Sequence, residues 1–160
     1  MEYGTQILGS DVSFEVDGSP VPDSNNIYHL DDEDVIKYLI NKGNDKPYAL
    51  GAKKESGFRV FVIKCGASWC GPCQACAPHY EKWAKEYKYK DIAFCSLDID
   101  NTEQFTELFN AVPAWIFIDH TGKIQKEIIM GAHVPGLIPI KKKVYQLLEE
   151  ASNQDSHKLL

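Results

Sequence analysis

Phe58-Arg59-Val60-Phe61-Val62-Ile63-Lys64-Cys65-Gly66-Ala67-Ser68-Trp69-Cys70-Gly71-Pro72-Cys73 is the stretch on which the reading of this chain turns. Phe58 to Cys65 is almost continuously apolar, the pattern of a central strand covered on both faces. From about Cys70 to Tyr89 the period becomes helical, with Cys73, Cys76, Ala77, Tyr80, Trp83, Ala84 and Tyr87 on one stripe. Two thiols therefore stand where a buried strand passes into a helix. Cys70 falls at the helix start, where unpaired N–H groups and the positive end of the dipole stabilise a thiolate. Cys73 lies one turn inside, on the buried stripe, and suits the resolving role. Gly71 lets a partner backbone come close, and Pro72 sits in the first turn, where its missing N–H does no harm. Disulfide exchange needs this combination: one accessible thiolate, and a second thiol near enough to displace the product.

Working outward, Ile27 to Leu30 reads as a short strand. The acidic residues Asp31 to Asp34 open a helix with Val35, Ile36, Leu39 and Ile40 on its apolar face, ended by Gly43. Residues 43–57 read as a loop. Beyond the redox stretch, Ile92 to Asp98 is a strand, and Asn101 caps a helix carrying Phe105, Leu108 and Phe109. Ala114 to Ile118 and Ile124 to Met130 form an antiparallel hairpin about the turn His120 to Lys123. A last helix packs through Leu137, Ile140, Val144, Leu147, Leu148 and Ala151, with Pro139 confined to its first turn. Strands alternating with helices predict parallel pairing, to which the hairpin adds an antiparallel edge, giving an α/β fold with a mixed central sheet flanked by helices. Residues 1–26 read as a flexible extension in which Val12, Phe14 and Val16 alternate like a short edge strand; residues 27–151 read as the domain and 152–160 as a frayed tail.

Of 160 residues, 44% are hydrophobic, enough for a real core. A net charge of −6 argues against nucleic acid or an anionic membrane as partner. No segment approaches the roughly 20 apolar residues of a membrane span. The opening MEYGTQILGS lacks a basic start followed by an apolar run, so no secretory signal is expected. Five cysteines without such a signal point to the cytoplasm or another reducing compartment, where cysteine pairs are usually catalytic or metal-binding. Arg59 is the only arginine among 17 basic residues, a bias that accompanies AT-rich genomes such as those of some parasites and large DNA viruses.

Ala67-Ser68-Trp69-Cys70-Gly71-Pro72-Cys73 resembles the active site of the thioredoxin family, and more distant marks follow in register. Pro78 lies five residues after the second cysteine, where that family kinks the helix. Val112-Pro113 precedes a strand as the family's cis-proline does. Gly122 falls in the hairpin turn, and Gly131-Ala132 follows the last strand. The resemblance covers roughly residues 27–151 and implies a thioredoxin fold and protein-disulfide reductase activity. It also implies a substrate groove of Trp69, Gly71, Pro72, Val112, Pro113, Gly131 and Ala132. The implied cofactor is none beyond a redox-active Cys70–Cys73 disulfide. The implied partners are disulfide-bearing proteins and a thioredoxin reductase, met by a monomer.

The chain departs from the family pattern at three positions. The buried aspartate six residues before the first cysteine is Lys64, the tryptophan two residues later is Gly66, and the threonine after the cis-proline is Ala114. A lysine inside an apolar strand must pair with an acid, lose its proton or reach solvent. Asp98, on the strand that runs beside Lys64 in the family fold, is the expected partner, and the pair is expected to relay a proton to and from Cys73.

Other residues carry plainer readings. Cys76 extends the motif to C-x-x-C-x-x-C, which admits an iron–sulfur site, but it lies on the core stripe and reads as a buried structural thiol. Cys65 and Cys95 read as core, as do Trp83 and Tyr87. His79, His133 and the run Lys141 to Lys143 read as surface, and no metal site is expected. Two further functions stay beside the oxidoreductase: a catalytically weak binding module that keeps the groove, and a cluster protein using Cys70, Cys73 and Cys76.

Overall fold

The computed structural model describes residues 13–14, 20–30, 58–87, 91–101 and 110–159. Its centre is a five-stranded sheet made of β3 (Ile27–His29), β4 (Val60–Gly66), β5 (Ile92–Asp98), β6 (Ala114–Ile118) and β7 (Ile129–Met130), in the order β3-β5-β4-β6-β7. β1 (Ser13–Phe14) and β2 (Pro20–Val21) pair antiparallel as a separate two-stranded ribbon, so the alternation around Phe14 does not join the edge of the main sheet. The two helices are α1 (Gly71–Glu86) and α2 (Ile138–Leu159). The helices expected from Asp31 and after Asn101, and the loop at 43–57, lie outside the described residues apart from Asn101 itself, which ends a 3-10 turn Ile99–Asn101.

β3, β5 and β4 run parallel, whereas β6 lies antiparallel to β4 as well as to β7. The alternation of strand and helix predicts a parallel β6, and the register explains the difference. β5 ends with Asp98 beside Gly66, and β6 begins with Ala114 beside Cys65. β5 therefore ends and β6 begins at the same end of β4, and β6 runs back along it. The hairpin's return limb is shorter than expected. Only Ile129 and Met130 form a strand, with an isolated bridge from Ile124 to Ile118. Asp119 holds the turn, its carboxylate accepting from the Thr121 N–H (2.9 Å), the Thr121 hydroxyl (2.6 Å) and the Lys123 N–H (3.1 Å).

Alternation sorts the strands onto two buried faces. One carries Phe61, Ile63, Cys65, Ala93, Cys95, Leu97, Ile116 and Ile118. The other carries Val60, Val62, Phe94, Trp115 and Phe117, and packs against Cys76, Tyr80, Trp83 and Ala84 of α1 and Ile140, Val144 and Leu147 of α2. The α1 stripe is as expected, with Ala77 and Tyr87 half-buried at its margins. Pro139 does fall in the first turn of α2, and the helix continues to Leu159 through the residues expected to fray. The lysine run on α2 is not simply solvated. Lys143 Nζ lies 3.4 Å from Glu127 Oε1, and Lys141 Nζ sits 5.6 Å from the Trp83 ring centroid.

Candidate active site at the strand–helix junction

Cys70 is the N-cap of α1, with extended backbone angles (φ −89°, ψ 112°). Its sulfur accepts the Cys73 N–H at 3.1 Å, one of the amides a helix start leaves without a partner. Pro72 in the first turn needs no acceptor, and Pro78 lies inside the helix as expected. Cys70 and Cys73 are joined as a disulfide, with Cα atoms 5.2 Å apart. Total exposure does not separate the two, since each is only 4% exposed, which corrects the expectation of an open Cys70 beside a covered Cys73.

What separates them is the space each one faces. Cys70 opens onto an outer groove of about 680 Å³ lined by Trp69, Gly71, Pro72, Ile99, Asn110, Ala111 and Val112. Cys73 opens onto an inner cavity of about 350 Å³, itself open to solvent, where His29, Lys64, Gly66, Ser96 and Asp98 are among the lining residues. Gly66 admits this second approach, because a Cβ there would stand 3.2 Å from Cys73 Sγ.

The outer groove contains four of the seven expected groove residues. Trp69 is 66% exposed, and its indole N–H is shared between both Asp100 carboxylate oxygens at 3.1 Å, which holds the ring at the mouth. The Val112–Pro113 bond is cis, as the resemblance implied, and the Val112 carbonyl oxygen lies 3.6 Å from Cys70 Sγ. Pro113, Gly131 and Ala132 do not line the groove. Pro113 is buried and its carbonyl accepts from the Gly131 N–H (2.8 Å), while the Gly131 carbonyl accepts from the Trp115 indole (2.8 Å). Ile99, Asn110 and Ala111 were missed, although Asn110 and Ala111 directly precede Val112-Pro113 in the chain.

Gly131 has φ +109°, and a Cβ there would meet His133 Nε2 at 3.1 Å. Gly131→Ala is expected to cost about 1–3 kcal/mol in strain, read as a lower denaturation midpoint at unchanged slope. His133 is exposed as expected, its Nε2 bonding the Met130 carbonyl at 2.8 Å, whereas His79 is half-buried.

Lys64 and Asp98 both line the inner cavity, but among the described residues they form no ion pair, which corrects the expected partnership. In the sheet Lys64 stands beside Ser96, one same-face position short of Asp98, and Asp98 Oδ1 accepts the Asp100 N–H at 2.9 Å. His29, not singled out from sequence, stands on the other side of Ser96. Its Nε2 lies 2.6 Å from Asp23 Oδ2 and its Nδ1 lies 3.2 Å from Ser96 Oγ. Burial would raise the Asp23 carboxyl, but the His29 ring and the Ile27 and Asn25 N–H groups outweigh it and hold the carboxyl below its ordinary value.

The remaining thiols are buried: Cys65 and Cys76 at 0% exposed, Cys95 at 1%. Burial pushes all three thiols up, Cys76 against the pull of the Lys64 charge. Iodoacetamide on the folded, reduced chain is expected to spare these three, and peptide mapping should find them modified only after denaturation.

A match to the thioredoxin family model spans residues 51–135, just over half of the chain. The chain belongs to the thioredoxin family. Among thioredoxins, one from Geodia cydonium is 38% identical over 88 residues, which cover 54% of this chain and 80% of that protein. Thioredoxin H4-1 of Oryza sativa is 28% identical over 130 residues, covering 76% and 92%. A crystal structure of poplar thioredoxin h superposes with a TM-score of 0.54 at 22% identity, covering 77% of this chain and 96% of that one, a likeness of fold. In this thioredoxin fold the Cys70–Cys73 pair occupies the active-site position, and thiol–disulfide exchange is the chemistry that family and pair support.

Proposed function

We propose that this chain reduces disulfide bonds in other proteins, with Cys70 as the attacking and Cys73 as the resolving thiol. The observation that carries the reading is that the two cysteines face different spaces: a partner in the outer groove meets Cys70 and not Cys73. In the reduced chain a Cys70 thiolate takes the N-terminal dipole of α1 and the Cys73 N–H as its stabilising partners. It attacks one sulfur of the target disulfide. A Cys70–target disulfide forms and the other target sulfur leaves as a thiolate, which takes up a proton. Cys73 then attacks Cys70 Sγ, the second target sulfur departs, and two electrons have passed from the pair to the target. A reductase of the thioredoxin reductase class is the partner that would return the pair to the dithiol.

Turbidity from insulin reduced by dithiothreitol tests this directly. Catalytic amounts of the chain are expected to shorten the lag severalfold. A lag equal to that with dithiothreitol alone would favour the binding-module reading instead.

A further inference from the structure

Two successive rows cross the helix-covered face of the sheet. Ile27, Phe94, Val62 and Phe117 form the first, wholly apolar and buried. The next is His29, Ser96, Lys64 and Trp115, three polar residues side by side where the first row predicts apolar ones. Those three share the inner cavity with Cys73. At about 350 Å³ the cavity has room for several waters, each taking roughly 30 Å³ in the liquid. The carboxylate this family keeps near the resolving thiol is absent, since Lys64 occupies its position, and a lysine cannot accept a proton while charged.

We infer that His29, oriented by Asp23 and connected through Ser96, accepts the proton of the Cys73 thiol across the inner cavity. The inference rests on the oxidoreductase reading above. Asp23 Oδ2 engages Nε2 and so directs the free lone pair to Nδ1, the nitrogen beside Ser96 Oγ. Ser96 can accept a proton from the cavity side while donating its own to Nδ1. In the mixed-disulfide state the Cys73 S–H loses its proton to cavity water, Ser96 passes one on, and His29 becomes charged. The Cys73 thiolate then forms the bond to Cys70 Sγ as the Cys70–target bond breaks. His29 is 44% exposed on its side chain, so it returns the proton to solvent. The charged and titratable groups that face this route are Asp23 from the segment before β3, Asp98 from β5, Lys64 from β4 and Cys73 from α1.

Stopped-flow reaction of the reduced full chain with dithionitrobenzoate separates the steps. A first thionitrobenzoate is released when the Cys70 thiolate attacks the reagent's disulfide, a second when Cys73 attacks Cys70 Sγ and resolves the mixed disulfide. In the wild type the second phase is expected to rise through an inflection in the imidazole range, between about pH 5 and 8. His29→Gln should lose that inflection and slow the second phase about a hundredfold at pH 7, the low end of the range for general base catalysis. The two proteins should converge above about pH 9, where a thiol ionises unaided, and the first phase should not change. A His29→Gln profile equal to wild type overturns the inference. So does slowing by one factor at every pH, which marks a structural role, and so does an inflection that vanishes in Lys64→Met but survives in His29→Gln. A wild type without a first phase removes the oxidoreductase reading, and this inference with it.

Discussion

Cys73→Ser is expected to stop turnover while leaving the first chemical step intact, so that the chain accumulates covalently bound to its targets. Cys70→Ser should lose both the turnover and the adducts. The reasoning is positional. Cys70 lines the outer groove and Cys73 does not, and in the proposed reaction Cys73 displaces what Cys70 has bound. Loss of a covalent nucleophile costs on the order of 10⁴-fold or more in turnover, so each single serine variant should bring insulin reduction down to the dithiothreitol background. The variants differ in what non-reducing electrophoresis and mass spectrometry recover: a Cys70-linked adduct from Cys73→Ser, none from Cys70→Ser. Adducts mapped to Cys73 in Cys70→Ser would reverse the assignment.

Trp83→Ala is expected to be the most damaging core change, at about 3–5 kcal/mol, a large part of the roughly 5–15 kcal/mol that holds a domain together. Trp83 is 1% exposed and is the point where α1, α2 and the sheet meet. Its ring stands edge-on to Phe94 at 4.8 Å and to Tyr80 at 6.2 Å, and its indole N–H donates to the Tyr145 hydroxyl at 3.0 Å. Alanine leaves a cavity bordered by both helices, and a rigid sheet cannot collapse into it. Thermal unfolding should fall by roughly 10 °C or more. Tyr145→Phe removes only the hydrogen-bond partner, and a loss as large from that variant would move the cause from packing to the hydroxyl chain Trp83–Tyr145–Tyr87.

Most of this fold was legible because strong local signals agreed. The apolar run at β4, the helical stripe of α1 and the bounds of β5 and β6 are properties of contiguous residues, and the structure repeats them closely. What depends on how separate strands align was harder to read. Lys64 was rightly seen as an intruder in an apolar strand, but its neighbour is Ser96 and not Asp98. Alternation within one strand says which face a residue takes and nothing about which residue of the next strand it meets. His29 was passed over for the same reason. Its place in the site comes from a register shared by three strands, and on its own it is one polar residue in a short edge strand. The direction of β6 likewise follows from where that strand begins beside β4.

The two chambers beside the disulfide have a consequence for how such a protein can diversify. In the proposed reaction the outer wall, Trp69 and the residues before Pro113, selects the targets. In that reaction the inner wall, where Cys73 shares a pocket with Lys64, Ser96 and His29, sets how long each target stays attached. Among the described residues, none lines both. Clientele and dwell time are therefore separable traits. A substitution behind the sheet can turn a quick reductant into a slow covalent holder of the same clients, and one at the groove can change the clients without resetting the clock.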